Sequence, residues 1–217
     1  MSDEGLYALH RPAQPRAGEP AWLLVLMHGV GSNEQDLMGL APAVPARFHV
    51  LSLRAPFVLG PGAYAWFEFE VLPDGERRID GAQEAESRRR VADTVRMASQ
   101  QLQVPTERVI VGGFSQGGIM SLTQLITQPD ALRGAMVLHS RLLKTVEPLA
   151  DASSLRGKAL WVSHGAQDAV IAPASAAHIR ARAVEWGVEL SGGDYPGGHE
   201  IREQELDEAM DWLAALT

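Results

Sequence analysis

The chain has 217 residues, 46% of them hydrophobic, with 21 glycines and 13 prolines, which predicts a single globular domain over residues 1–217 with a sizeable core and many tight turns. A formal net charge of −8 argues against nucleic acid and anionic membranes as partners, and the lack of cysteine excludes disulfides, thiolate metal sites and a cysteine nucleophile. The polar start does not resemble a signal peptide and no apolar run reaches the length of a membrane span, so we expect a cytoplasmic protein without stable membrane association.

Short apolar runs alternate along the chain with helical or turn-rich segments. The run at 21–27 is nearly all apolar, which is typical of a strand buried on both faces of a parallel sheet. Strands are predicted over residues 6–9, 21–27, 49–53, 109–111, 135–138, 159–163 and 188–190. Helices are predicted over residues 82–103, 116–127, 174–186 and 202–216, with a short helix capped by Ser32 and Gln35. This α/β rhythm predicts a predominantly parallel central sheet with helices on both faces.

Residues 56–81 interrupt the rhythm with a long segment that carries Trp66 and Phe67 and a Pro-Asp-Gly turn at 73–75. A long aromatic loop inside a compact domain is usually functional, so we predict that this segment walls a substrate pocket. A small hairpin packed on the core is the alternative.

The apolar run at 109–111 leads into a Gly-Phe-Ser-Gln-Gly sequence centred on Ser115, and a helical pattern follows. A GxSxG motif between a strand and a helix is typical of the nucleophile elbow of serine hydrolases. The sharp turn strains the serine backbone, and the close approach of strand and helix leaves room only for glycine at the flanking positions. Ser115 is therefore the candidate nucleophile. An incidental serine in a glycine-rich turn is the alternative.

Candidate partners for this serine follow two later strands. In parallel sheets, functional residues lie in loops at the carboxyl ends of strands. Asp168 follows the strand at 159–163, and His199 follows the last strand. Because a serine hydroxyl needs a base, and the imidazole needs a carboxylate to orient it, we predict His199 as the base and Asp168 as the acid. Asp194 is the rival acid, but it lies beside the last strand rather than after the preceding one.

Two further histidines, His139 and His164, also end predicted strands. His164 directly precedes the predicted acid, so we expect it to make a structural hydrogen bond. For His139 we expect a core or rim position with satisfied hydrogen bonds. Neither is predicted to act as the base.

The glycine-rich segment at 28–31 follows the first buried strand, where a serine hydrolase places the second donor of its oxyanion hole. We predict that the backbone N–H groups of Val30 and Gln116 form this hole, since the latter begins a helix whose dipole favours negative charge. A glycine turn without a catalytic role is the alternative.

These motifs together resemble the phospholipase/carboxylesterase family of α/β-hydrolases, which includes acyl-protein thioesterases and small bacterial esterases. The resemblance rests on residues 28–31, 66–68, 112–118, 164–168 and 198–199, and so covers nearly the whole chain. It implies the α/β-hydrolase fold, Val30 and Gln116 in the oxyanion hole and Trp66 at the border of the substrate cleft, and it is compatible with a homodimer. The chain departs from the family pattern at 138–143, where Arg141 faces the expected pocket.

We therefore predict a serine hydrolase that cleaves small-molecule carboxylic esters through an acyl-enzyme, with no metal or cofactor. Short-chain substrates are expected, because Trp66 and Phe67 would wall a shallow cleft and Arg141 would disfavour a long alkyl chain there. Acyl-thioesterase and lysophospholipase activities are alternatives within the enzyme class. A catalytically silent ligand-binding module on the same fold is the alternative outside it.

Overall fold

The computed structural model of the chain describes residues 5–73 and 77–217. The strands are β1 (Ala8–Arg11), β2 (Trp22–Met27), β3 (Phe48–Leu53), β4 (Phe57–Gly60), β5 (Ala63–Ala65), β6 (Phe69–Val71), β7 (Arg77–Ile79), β8 (Val109–Phe114), β9 (Gly134–Leu138), β10 (Ala159–Gly165), β11 (Glu189–Ser191) and β12 (Asp194–Tyr195). The helices are α1 (Glu34–Met38), α2 (Gly81–Leu102), α3 (Gln116–Thr127), α4 (Ala152–Leu155), α5 (Ala174–Trp186) and α6 (Glu203–Ala215). Within the described residues, no helix combines the length and apolar character needed to cross a membrane.

Eight strands form the central sheet. Their order is β1-β3-β2-β8-β9-β10-β11, and β12 pairs with β10 beyond the end of β11. All pairs in this sheet are parallel except β1 with β3. The predicted, predominantly parallel sheet is therefore confirmed. The predicted strand at 6–9 is its antiparallel edge strand, which begins two residues later than expected.

Alternate residues of β2 supply the cores on the two faces of the sheet. Leu23 and Val25 pack with α2, α3 and α5 on one face, whereas Trp22 and Leu24 pack with α1 and α6 on the other. Every residue of β2 is buried. The two layers of helices are thus the physical reason why this strand has a continuous apolar run rather than alternating polarity.

The aromatic segment folds into two small antiparallel hairpins, β4–β5 and β6–β7, beside the main sheet. Trp66 and Phe67 lie between the two hairpins and are almost completely buried. Trp66 and Phe67 thus pack on the core, as the alternative interpretation of this segment has it. The predicted turn at 73–75 falls mainly on residues outside the described ranges.

The start of α1 differs from the sequence prediction. Asn33 is the capping residue, and its side chain accepts a hydrogen bond of 2.9 Å from the N–H of Gln35. The predicted cap at Ser32 is wrong, because the Ser32 hydroxyl donates instead to Asp36 at 2.8 Å. Helix α4 and strand β12 were not predicted, since segments of four and two residues are too short to show periodicity.

Candidate active site

Ser115 occupies a sharp turn between β8 and α3, with φ of +54° and ψ of −115°. This backbone conformation is unfavourable for any residue with a side chain. Hydrogen bonds hold it in place: the Ser115 N–H donates to Leu138 O at 2.9 Å, and the Ser115 carbonyl accepts from Ile119 N–H at 3.1 Å and from the Ser140 hydroxyl at 2.8 Å. The strained turn predicted from the motif is therefore present.

Glycines at two positions let strand and helix meet at this turn. A Cβ on Gly117 would lie 1.8 Å from the carbonyl oxygen of Met27, and one on Gly113 would lie 2.3 Å from the carbonyl carbon of Gly117. Both neighbours are backbone atoms and cannot rotate away. The start of α3 consequently packs directly against the end of β2, as the sequence predicts.

The side chains of Ser115, His199 and Asp168 form a hydrogen-bonded line. His199 Nε2 lies 2.9 Å from Ser115 Oγ, and His199 Nδ1 lies 2.7 Å from Asp168 Oδ2. The Asp168 carboxylate is fully buried, whereas the His199 ring is partly exposed. The line therefore runs from the buried Asp168 to Ser115, which borders a cleft where it can meet a ligand.

The environment of Asp168 favours its ionised form. Burial opposes ionisation, but hydrogen bonds from His199 and from the backbone N–H groups of Ile171 and Val170 outweigh it and hold the pKa of Asp168 below its ordinary value. An ionised Asp168 accepts the Nδ1 proton of His199, which leaves Nε2 free to accept a proton from Ser115.

The competing residues Asp194 and His164 have other hydrogen-bond partners, although His164 Nε2 also lies 3.3 Å from Asp168 Oδ2. Asp194 is exposed and pairs with Arg180 at 2.8 Å. His164 is completely buried and its Nε2 lies 2.8 Å from the carbonyl oxygen of Ile171, the structural hydrogen bond expected from the sequence. Burial lowers the pKa of His164, so this ring is held neutral.

Both predicted oxyanion-hole residues border the cleft at Ser115. The turn that carries Val30 is fixed by a hydrogen bond of 2.8 Å from Gly31 N–H to Tyr64 O. The N–H groups of Val30 and Gln116 have no hydrogen-bond partner within residues 5–73 and 77–217. Two unpaired N–H groups beside a serine hydroxyl can donate hydrogen bonds to a ligand acceptor such as a carbonyl oxygen.

The side chain of Gln116 has a second, structural role that the sequence did not indicate. Its Oε1 accepts from the Trp66 N–H at 2.8 Å, and its Nε2 donates to Phe67 O at 2.6 Å. The Trp66 indole donates to His28 O at 2.8 Å. These bonds join the aromatic segment to both the elbow and the glycine-rich turn.

The cleft above Ser115 is small, with a volume of about 20 Å³. Its walls are formed by Val30, Phe67, Phe69, Arg77, Ser115, Gln116, Ile119, Arg141 and Ile171. Phe67 and Arg141 are thus at the cleft, as expected. Trp66 is not, because its fully buried ring lies below the surface and anchors the loop instead.

Arg77 is a cleft residue that sequence reasoning missed. Its Nη2 donates to Val170 O at 3.0 Å, and its guanidinium lies over the Phe69 ring with a centroid distance of 5.2 Å. No periodic pattern or motif marks this position. Only the pairing of β6 with β7 brings it next to Ser115.

A group of buried polar residues behind Asp168 was also missed. Glu205 is completely buried, and its carboxylate accepts from the Ser163 hydroxyl at 2.6 Å and lies 3.0 Å from His139 Nε2. The expected buried position of His139 is correct, but the expectation of satisfied hydrogen bonds is wrong, since its Nδ1 has no hydrogen-bond partner within the described residues. The sequence signal for Glu205 is its place in the first turn of α6, where an acidic residue is a common helix cap.

Within the described residues, His139, Asp168 and His199 bring three atoms of metal-ligand type within 4.8 Å of one another. His199 and Asp168 are already joined to each other by the hydrogen bond of 2.7 Å between Nδ1 and Oδ2. An ion at this place would have to displace the Nδ1 proton of His199 and break that bond.

Comparison with known proteins places this geometry in context. A model of the phospholipase/carboxylesterase family matches residues 12–217. Esterase YpfH of Escherichia coli is 25% identical over 198 residues, which cover 88% of this chain and 81% of that protein. Acyl-protein thioesterase 1 of Neurospora crassa is 32% identical over 114 residues, which cover 51% of this chain and only 46% of the relative.

Solved structures give the same architecture. The carboxylesterase of Bacillus cereus superposes with a TM-score of 0.80 at 20% identity, covering 98% of this chain and 95% of that one. At this identity the likeness concerns the fold, which is the α/β-hydrolase fold predicted from the motifs. Those motifs, at 28–31, 112–118, 164–168 and 198–199, all lie within the matched region.

Proposed function

This chain belongs to the phospholipase/carboxylesterase family, and we propose that it hydrolyses carboxylic esters through an acyl-enzyme formed on Ser115. The observation that carries the proposal is the line of two hydrogen bonds, 2.9 Å and 2.7 Å long, from Ser115 through His199 to Asp168. Such a line is the arrangement that activates a serine hydroxyl as a nucleophile.

The proposed reaction has two halves. Ser115 Oγ attacks the ester carbonyl carbon while His199 Nε2 takes the hydroxyl proton. The tetrahedral intermediate then expels the alcohol, which receives that proton from His199, and the acyl group remains on Ser115. A water molecule attacks the acyl carbon and gives a proton to His199, after which the acid leaves and Ser115 regains its proton.

The other residues of the site support these steps. Asp168 stabilises the imidazolium that forms on His199 and keeps the proton on Nδ1. The N–H groups of Val30 and Gln116 stabilise the negative oxygen of the tetrahedral intermediate, where each such donor contributes about 10²–10³-fold to the rate in serine hydrolases. The strained backbone of Ser115 holds its hydroxyl at this position without further rearrangement.

We propose a short acyl group as the preferred substrate. The cleft is narrow, and two of its walls, Arg77 and Arg141, carry guanidinium groups. A long alkyl chain would have to displace the water around these charges, which is unfavourable. The same charges favour esters that carry a polar or anionic group.

Thioester hydrolysis is the second candidate, since an acyl-protein thioesterase is among the relatives. A thioester carbonyl would bind Ser115 and the two N–H donors in the same way. The leaving group distinguishes the two activities, and parallel assays with an oxygen ester and a thioester of the same short acyl group would rank them.

The nucleophile is tested by Ser115→Ala. We expect this variant to fold normally and to lose hydrolysis of p-nitrophenyl acetate by several orders of magnitude, because a triad without its serine retains only binding and oxyanion stabilisation. A fluorophosphonate probe should label the wild type and not the variant. Turnover in Ser115→Ala close to that of the wild type would contradict the proposal. A wild-type protein that the probe does not label would indicate a catalytically silent binding module.

The pocket is tested by kcat/KM across p-nitrophenyl esters of increasing chain length, for the wild type and for Arg141→Leu. We expect the wild type to prefer the shortest esters and the variant to shift toward longer ones, because a charged wall becomes apolar. A wild-type preference for long chains, or an unchanged profile in the variant, would contradict the role proposed for Arg141.

A further inference from the structure

The Val30 N–H belongs to a turn that lies directly beside the candidate nucleophile. A Cβ placed on Gly29 would lie 3.6 Å from the Cβ of Ser115. The turn runs from Gly29 to Ser32, and the Ser32 N–H donates to Gly29 O at 3.2 Å. Gly31 has φ of +80°, a conformation that glycine adopts without strain. The shape of this turn is therefore defined by its own hydrogen bond and by a glycine at the position that needs one.

The ring of His28 contacts one end of this turn. It is completely buried, its Nδ1 lies 2.7 Å from Gly29 O, and the Ala55 N–H donates to its Nε2 at 3.1 Å. Since a backbone N–H can only donate, Nε2 presents its lone pair and Nδ1 carries the ring proton. Burial lowers the pKa of His28, which also favours the neutral ring. His28 Nδ1 is thus a donor to Gly29 O.

The Gly29 carbonyl and the Val30 N–H are parts of one peptide group. This group is trans, as are the other peptide bonds of the described residues, so its C=O and N–H point in opposite directions. A hydrogen bond that fixes the Gly29 carbonyl therefore also fixes the direction of the Val30 N–H. Rotation of this peptide plane would break the hydrogen bonds from both His28 and Ser32.

The backbone of His28 is held as firmly as its ring. Its carbonyl oxygen accepts from the Trp66 indole at 2.8 Å, and the two rings lie 5.6 Å apart. A Cβ on Gly117 would lie 2.7 Å from the same oxygen, so His28 packs against the first turn of α3. This first turn carries Gln116, whose N–H is the other proposed oxyanion donor. His28 therefore contacts both parts of the chain that supply the proposed donors.

The hairpin β4–β5 holds the other end of the turn. The Gly31 N–H donates to Tyr64 O at 2.8 Å, and the Tyr64 N–H donates to Ser32 O at 2.9 Å. Both bonds lie beyond the peptide group that carries the Val30 N–H. The side chain of His28, in contrast, bonds directly to that group.

We propose that His28 is a positioning residue of the oxyanion hole, which holds the Val30 N–H toward Ser115 by donating to the carbonyl oxygen of the same peptide group. This inference rests on the proposed function, in which the Val30 N–H stabilises the tetrahedral intermediate. His28 acts through the backbone and does not contact the substrate. Its effect is larger in the transition state, where the ester oxygen becomes negative, than in the binding of the uncharged ester.

The first test is steady-state hydrolysis of p-nitrophenyl acetate by His28→Gln. A glutamine amide can reach the place of Nε2, where its oxygen still accepts from Ala55, but it leaves Gly29 O without a side-chain donor. We expect kcat to fall by about 10–100-fold with KM little changed. One oxyanion donor contributes about 10²–10³-fold, and the remaining hydrogen bond from Ser32 preserves part of its position.

His28→Asn is the matched control. Its amide nitrogen takes the place of Nδ1 and can still donate to Gly29 O, whereas the Ala55 N–H loses its acceptor. Both variants lose one hydrogen bond and part of a buried ring, so urea unfolding should show similar losses of stability. We expect the asparagine variant to keep most of the wild-type kcat. Equal losses of kcat in the two variants, or a wild-type kcat in His28→Gln, would overturn the proposal.

A short-chain trifluoromethyl ketone tests the oxyanion hole itself. It forms a tetrahedral adduct on Ser115 whose negative oxygen takes the place of the ester oxygen in the transition state. Its inhibition constant should rise in His28→Gln by the factor by which kcat/KM falls, and should stay near the wild-type value in His28→Asn. An unchanged inhibition constant in His28→Gln would contradict a role in the oxyanion hole.

The last test needs neither a substrate nor a variant. In wild-type protein labelled with ¹⁵N in its histidines, His28 should show a protonated Nδ1 and an unprotonated Nε2 at neutral pH. The opposite tautomer would remove the donor to Gly29 O and overturn the proposal. Because this measurement does not depend on turnover, it separates failure of this proposal from failure of the nucleophile assignment at Ser115.

Discussion

At the scale of single residues, the candidate site depends on a buried carboxylate, that of Asp168, whose two oxygens both have hydrogen-bond partners. The Asp168 carboxylate uses one oxygen for the N–H groups of Val170 and Ile171 and directs the other at His199. The carboxylate therefore cannot rotate without breaking three hydrogen bonds. This arrangement explains how Asp168, fixed in a loop after a strand, can orient the ring of His199, which lies 31 residues later in the chain.

The choice between the two candidate acids can be tested directly. Asp168→Asn should lower kcat/KM by roughly 10³–10⁴, because an asparagine amide favours the histidine tautomer that has its proton on Nε2. Asp194→Asn should have a much smaller effect, since Asp194 contacts Arg180 and not His199. Steady-state kinetics with p-nitrophenyl acetate would measure both variants. The opposite ranking would make Asp194 the acid.

At the scale of elements, the sharp turn at Ser115 is fixed by close packing of the strands and the helix around it. Helix α3 approaches the end of β2 so closely that a Cβ on Gly117 would overlap Met27 O, and it approaches β8 so closely that a Cβ on Gly113 would overlap the backbone of Gly117. The hydroxyl of Ser140, just after β9, closes the turn from the other side. Three strands and a helix thus determine the position of one serine.

A glycine substitution tests this constraint. In Gly117→Ala the new methyl group would lie 1.8 Å from Met27 O, so β2 and α3 would have to separate. We expect the free energy of unfolding to fall by about 3 kcal/mol or more, or the variant to accumulate in an insoluble form. Gly81→Ala is the matched control, because a Cβ at the start of α2 meets no atom within 4 Å. The free energies of unfolding of the two variants, measured in urea, should differ clearly. Equal values would contradict the packing argument.

At the scale of the whole molecule, buried carboxylates make stability depend on pH. Two side-chain hydrogen bonds from Arg54, of 2.7 Å and 2.6 Å, hold the pKa of the buried Glu34 below its ordinary value, and that of Asp168 is lowered too. Such groups stabilise the fold above the pKa of the unfolded chain, and this contribution is lost as pH falls through the folded-state pKa. Burial raises the pKa of Glu84, so this carboxyl group has the opposite effect on the pH dependence of stability.

We therefore expect Glu34→Gln to lower the free energy of unfolding at pH 7, and its difference from the wild type to shrink as pH falls below about 4. Urea unfolding at a series of pH values measures this. Glu70→Gln removes the exposed pair with Arg78 and should change stability little at any pH, because both of its side chains are about two-thirds exposed and well solvated. If the loss in free energy of unfolding caused by Glu34→Gln were the same at low pH as at pH 7, the charge of Glu34 would not be its cause.

The amino-acid sequence by itself determined the central sheet, the elbow and the order of the proposed triad. Apolar runs such as β2 must be buried on both faces, and GxSxG between a strand and a helix permits few backbone conformations. Local patterns of this kind can be recognised in a sequence because the geometry of a strand, a turn or a helix sets the spacing of its residue types. The single domain over residues 1–217 and the homodimer remain predictions.

Tertiary structure alone decided the contacts between segments distant in the chain. Arg77 reaches the cleft through a hairpin, Trp66 is buried below it, and Glu205 meets His139 across 66 residues. None of these side chains stands in a periodic pattern that points to its partner. Their positions follow from how the hairpins and α6 pack on the sheet. The contacts of a buried charge or ring depend on neighbours from distant segments, which the local sequence does not specify.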